Sequence, residues 1–197
     1  MKILISILAI LVINFSCKTQ DSKLFLSRFH TVDSVPKKLA ECYMSFDSVN
    51  RIEHRDLNRF LISTNDFGGA LDSQDNKFYY GFKYQLNKNL YIVSITKSYL
   101  TLGNFSFTLF KQFDIQLYIY DAEKNSFIST LVVFSSDPIS RRFQYINGMF
   151  EIFVSEAYFN VNDEPESKIT REIVSSKEKY VINSDGLFER TAVEKLP

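Results

Sequence analysis

Lys77-Phe78-Tyr79-Tyr80-Gly81-Phe82-Lys83-Tyr84 decides the fold class. Phe78, Tyr80, Phe82 and Tyr84 alternate with Lys77, Tyr79, Gly81 and Lys83. A period of two puts one set of side chains on each face of a strand. The same period continues through Leu90–Thr96, Phe105–Lys111 and Phe113–Asp121, separated by short polar links such as Asn87-Lys88-Asn89. Phe127–Phe134 is apolar on both faces, with Ile128, Val132 and Phe134 against Phe127, Leu131 and Val133, so it is expected to be central. Ile139–Ile146 and Met149–Tyr158 flank Asn147-Gly148, a strong hairpin signal. Lys168–Val174, Lys179–Asn183 and a short strand near Phe188 complete the series.

These segments amount to roughly nine strands joined by short links. No helical pattern of crossover length separates them, so the fold class is mainly β, an antiparallel meander. To bury its aromatic face the sheet must form a sandwich or a partly open barrel.

One or two short helices are expected before the sheet. Ser34-Val35-Pro36 reads as the start of one, with Ser34 as cap and Pro36 in its first turn. Arg51–Ile62 reads as the better helix. Asn50 would cap it, Glu53 would close a capping box, and Leu57, Phe60, Leu61 and Thr64 would form its packing face. Asn65-Asp66-Phe67-Gly68-Gly69 would end it.

The chain has 197 residues, 23 basic and 23 acidic side chains, 45% hydrophobic content, 19 Phe, 11 Tyr and no Trp. This is the composition of one globular domain. Zero net charge argues against nucleic acid as a partner, because phosphate binding needs a basic excess.

At the front, Met1-Lys2 precedes an apolar run from Ile3 to Ile13 interrupted only by Ser6. A bilayer span takes about 20 apolar residues, so the run reads as a secretory signal. Asn14-Phe15-Ser16-Cys17 closes it, followed by the polar Lys18-Thr19-Gln20-Asp21-Ser22-Lys23. A Cys directly after an apolar run, with a small residue before it, resembles the lipobox of bacterial lipoproteins. Asn14 and Phe15 depart from the common pattern in the manner of Bacteroidota-type envelopes.

The resemblance implies that Cys17 is diacylated on sulfur, freed by cleavage and acylated on its new N-terminus with a palmitate-type chain. It divides the chain into a signal peptide at 1–16, a lipidated Cys with its tether at 17–35, and one β-rich domain at 36–197. Lys18 after the Cys resembles an outer-membrane sorting signal, so the expected location is the cell envelope, lipid-anchored in the outer membrane on its periplasmic face or at the cell surface.

Three further pieces, Phe25-Leu26-Ser27-Arg28-Phe29, Tyr79–Leu86 and Tyr180–Glu189, give the layout of uncharacterised small lipoproteins of the Bacteroidota. That resemblance lends a layout and no biochemical role.

The chemistry-bearing motifs are few. G-x-S-x-G, H-E-x-x-H, P-loop, C-x-x-C and G-x-G-x-x-G patterns are all absent. Ser-x-x-Lys occurs at Ser34/Lys37, Ser94/Lys97 and Ser176/Lys179. The motif is short, and in a strand Ser94 and Lys97 would point to opposite faces. The oxygen-rich stretches Asp72–Asn76 and Asn160–Glu166 lack the Gly and terminal Glu of a calcium loop, so no metal or cofactor is expected. If Cys17 carries lipid, Cys42 is left without a partner, and its neighbours Met44 and Phe46 suggest a buried thiol.

The leading expectation is therefore a non-catalytic lipoprotein that binds or scaffolds an envelope component, held to the membrane by its lipid. The alternatives are a barrel-like carrier of a small apolar ligand, or a hydrolase using His54 with Glu53 or Asp56. His30 is placed by no motif.

Overall fold

A computed structural model describes residues 21–37, 47–53, 56, 76–102, 109–135, 139–161 and 169–197. Strands β1 (His30–Thr31), β2 (Lys77–Gln85), β3 (Leu90–Leu102), β4 (Leu109–Asp121), β5 (Ser126–Ser135), β6 (Ile139–Ile146), β7 (Met149–Val161), β8 (Ile169–Ile182) and β9 (Phe188–Leu196) form one sheet. Its nine strands lie in sequence order. β1 pairs parallel with β2, and every later pair is antiparallel. The expected mainly β meander is therefore the fold.

The sheet is rolled on itself without closing into a barrel. Adjacent strands lie about 4.8 Å apart, so in a flat sheet the turn before β9 would lie some 25–30 Å from β3. Instead, a Cβ built on Gly186 would stand 2.6 Å from Leu90 Cδ1 and 3.8 Å from Ile128 Cδ1. The Phe188 amide donates to Ser129 Oγ at 3.0 Å, joining β9 to β5. The sheet turns between β5 and β6, where, among the described residues, Ser135 and Arg141 are the one pair shared. Bulges in β2, β4–β5 and β8–β9 add the local bending that a roll requires.

Rolling creates two cores. The inner one joins Phe82, Ile92, Ile115, Leu117, Ile119, Leu131 and Val133 to Phe143, Phe150, Ile152 and Val154. The other lies on the outer face of β2–β5, around Phe78, Tyr80, Val93, Ile95, Tyr118, Tyr120 and Phe127. Phe25, Leu26, Phe29 and Ile52 cover that face. β4 is thus covered on both sides, and its residues 115–121 are all buried.

Several expectations are corrected here. The stretch 21–35, read as part of the tether, is folded: residues 21–26 are helical, and His30–Thr31 pair with Phe82 and Lys83. Residues 35 and 36 are not helical, so the proposed start at Ser34 fails. Val35 is instead buried in the inner core, and the segment straps the roll, from Val32 N on Lys83 O to Lys37 O under Tyr145 N.

Arg51 does not open a helix behind Asn50. Asn50 ends a 3-10 turn, Arg51 is extended and bridges Tyr79, and the Ile52 amide donates to Phe78 O at 2.8 Å. Burial of Ile52 and pairing with β2 outweigh the local capping signal. Asp56 is helical, and the rest of 54–62 lies outside the described residues, as do residues 65–69.

The strands at 105–111 and 113–121 are one strand over the described part, Leu109–Asp121, and those at 168–174 and 179–183 are also one. On β2, an extra residue between Tyr80 and Lys83 breaks the alternation. The bulge keeps Phe78 and Tyr80 on the outer core and swings Phe82 to the inner one, and the Phe82 amide donates to Ser94 Oγ at 2.8 Å. On β5, Leu131 and Val133 are buried, whereas Val132 is only half-buried.

The turns follow their chemistry. Asn147 and Gly148 both have positive φ, 52° and 79°, as a two-residue hairpin of the favoured hand demands. Asn87, Asp121 and Asn183 each accept two backbone amides at the start of a turn. Alanine at Gly148 (φ +79°) meets nothing within 4 Å, while at Gly186 (φ +77°) it also displaces Leu90. Each change should cost about 1–2 kcal/mol through its left-handed backbone. The Gly186→Ala cost should be the larger, read as a lower urea midpoint.

Candidate functional site

The strand directions sort the molecule into two ends. β2, β4, β6 and β8 run toward the turns at 86–89, 122–125, 147–148 and 183–187, which define the near end. The far end carries the start of β2 and β4 and the close of β3 and β5. Polar side chains and clefts gather there.

The register places Lys97, Asp114, Ser135 and Arg141 in one row across β3, β4, β5 and β6. The Tyr99 hydroxyl donates to Asp114 Oδ1 at 3.2 Å, and the Lys97 ammonium lies 5.0 Å from the Tyr99 ring centre. Burial pushes the Asp114 carboxyl above the usual carboxylate range, against hydrogen bonds from Ser135 and Tyr99 and the charges of Lys97 and Arg141. Burial likewise lowers Lys97, opposed by Asp114.

A carboxylate and an ammonium displaced toward each other could in principle exchange a proton. Here each is already engaged inside the row, which crosses the Ser135–Arg141 pair between β5 and β6. Its evident work is to hold that junction.

The sign of its pH dependence follows. The folded chain binds the Asp114 proton more tightly than the unfolded one, for which the value is about 3.9. Stability from this group is therefore present at low pH and falls as pH rises through the raised folded value. The melting temperature of Asp114→Asn minus that of the wild type should increase between pH 3.5 and pH 7. A difference that stays flat or falls would contradict this.

Among the described residues, two adjoining clefts open at the far end. Ser48, Arg51, Ile52, Glu53, Asn76 and Lys77 line one of 430 Å³. A smaller one of 160 Å³ shares Lys77 and adds Ser98, Tyr99, Leu100 and Lys111. Another, of 490 Å³, lies midway along β7 and β8 and is bounded by Ser140, Arg142, Phe153, Ser155, Ser175 and Leu196. Nearer the other end, Lys23, Ser27, Thr31, Lys83, Gln85 and Tyr91 surround 320 Å³.

The sequence-derived candidates are not brought together. Cys17, Cys42 and His54 lie outside the described residues. His30 is exposed on β1, Glu53 is exposed, and Asp56 accepts the Tyr80 hydroxyl at 3.2 Å. Ser94 pairs opposite Leu117 and Lys97 opposite Asp114, so the two point to opposite faces as expected. Of the oxygen-rich stretches, only Asn76, Asn160 and Val161 are described. Among the described residues, no three His, Cys, Asp or Glu side chains could hold a metal ion, and no helix is long and apolar enough to cross a membrane.

The Lys97–Asp114 row was missed in the sequence because its members are separated along the chain and joined only by register. The chain matches no protein-family profile, no curated protein and no solved structure.

Proposed function

We propose that this chain is a non-catalytic envelope lipoprotein, anchored through lipid on Cys17, whose domain binds or scaffolds another envelope component with its far end. The Bacteroidota-type lipobox reading of Ser16-Cys17 supplies the anchor. The observation that supports the binding role is the pair of adjoining clefts at the far end, which share Lys77.

Those clefts set three cations, Arg51, Lys77 and Lys111, against the single carboxylate of Glu53, beside apolar Ile52 and Leu100. Such a mixture suits a partner surface that offers carboxylates beside apolar side chains. A carrier of a small apolar ligand would need space inside the roll. Phe82, Leu117, Val133, Phe150 and Ile152 fill the described interior, so an outer surface is the better place for recognition. The hydrolase alternative needs a base beside a nucleophile, and Asp114 is already committed to Tyr99 and Ser135.

Two arms test the proposal in intact cells. Cys17→Ser should block acylation and move the protein out of lipid-anchored fractions, leaving uncleaved precursor or a soluble form. A photo-crosslinking amino acid in place of Leu100 or Lys111 should give a discrete adduct with an envelope component, and one in place of the near-end Lys88 should not. Retention of the Cys17→Ser protein as processed lipoprotein would refute the anchor. The absence of far-end adducts would refute the binding role.

A further inference from the structure

We propose that the near end of the sheet, with its turns at 86–89, 122–125 and 183–187, rests against the lipid headgroup surface while the strands carry the far end away from it. The inference rests on the reading of Cys17 as the lipidated residue and adds the pose of the domain.

The first described residues are fastened to the near end. Ser22 Oγ donates to the Ala122 carbonyl at 2.8 Å and lies 3.2 Å from the Tyr120 hydroxyl, which donates to Asn125. The Ala122 amide in turn donates to Asn89 O at 2.8 Å, and Asn89 Nδ2 donates to Glu123 at 2.7 Å. From Ser22 the chain runs back along the sheet: Phe25 packs 5.1 Å from Tyr120, and Phe29 packs 4.9 Å from Tyr80. The described chain therefore begins beside the near-end turns.

Reach then fixes the pose. Cys17 precedes Asp21 by four positions, a span of at most about 14 Å even when fully extended. A strand of thirteen residues such as β4 is about 40 Å long. A lipid on Cys17 thus brings the near end to the headgroups, and a domain standing on that end carries the far end some 40 Å away from them.

The surface brought down suits that place. Leu24 is 62% exposed and Leu187 is 36% exposed. Lys23, Lys88 and Lys124 stand exposed on the same end, with Glu123 and Asp185 among them. Apolar tips and ammonium groups favour the interface, and the mixed signs leave the short tether, rather than charge, to set the pose.

The test uses the full lipidated protein with Cys42→Ser, reconstituted in phosphatidylethanolamine–phosphatidylglycerol vesicles that contain a headgroup-attached quencher. Fluorophores are placed through Lys88→Cys and Lys124→Cys at the near end, and through Lys77→Cys and Lys111→Cys at the far end. Quenching should be at least threefold stronger at the near-end sites. Insertion of twenty Gly/Ser residues between Gln20 and Asp21 should erase the difference without detaching the protein, because such a linker reaches about 25 Å on average.

Equal or reversed quenching in lipidated protein would overturn the pose. An asymmetry that survived the insertion would overturn the tether as its cause. The mass of the N-terminal peptide separates these outcomes from a failure of the anchor itself: a protein without lipid on Cys17 refutes the lipidation reading instead.

Discussion

Val133→Asp is expected to abolish the folded domain, whereas Val132→Asp should be tolerated with a modest loss. Val133 has no exposed surface and sits in the inner core with Leu117, Leu131 and Ile152. An aspartate there must either ionise without a partner or remain protonated, at a cost of several kcal/mol. Domains of this kind are stable by only about 5–15 kcal/mol, so one such group removes much of the total. Val132, one position away, points to the other face of β5 and is half-buried, so its carboxylate keeps access to water. Urea titrations followed by circular dichroism would read both variants. Equal stability of the two would mean that the register of β5 is wrong.

Phe25→Ala is expected to cost about 3–5 kcal/mol, as deletion of a buried ring does. Phe25 is 5% exposed, and its ring meets those of Phe29, Tyr80, Tyr120 and Phe127 at 5.1 to 6.2 Å. If residues 21–35 were only a tether, the change would be silent. The neighbouring Leu24→Ala, at a largely exposed position, supplies the control and should shift the denaturation midpoint little.

The strands were legible in the sequence because period two and turn chemistry are local. Asn147-Gly148 set a hairpin whose flanks, Ile139–Ile146 and a strand starting at Met149, stand where they were expected. What the sequence hid is what packing decides. Phe78, Tyr80 and Phe82 read as one face, and only the inserted residue opposite Ser94 sends Phe82 to the other core. β4 alternates Gln116, Tyr118 and Tyr120 with Ile115, Leu117 and Ile119. Yet it is the strand buried on both sides, because those tyrosines hand their hydroxyls to Gln116, Asn125 and Ser22.

The helical signal at Asn50 and Glu53 lost to burial of Ile52, a contact with β2 some twenty-five positions away. Phe25 and Phe29 looked like a tether because their partners lie 50 to 100 residues further along. The far-end row of Lys97, Asp114, Ser135 and Arg141 was invisible for the same reason: only the register makes those residues neighbours.

Anchor, pose and the outward direction of the clefts all depend on Cys17. Mass spectrometry of the mature N-terminal peptide is the direct measurement. The expected result is a chain that begins at Cys17 with diacylglycerol on sulfur and a fatty acyl group on the amine. A mature chain that begins at unmodified Cys17, or at any other residue, would contradict it.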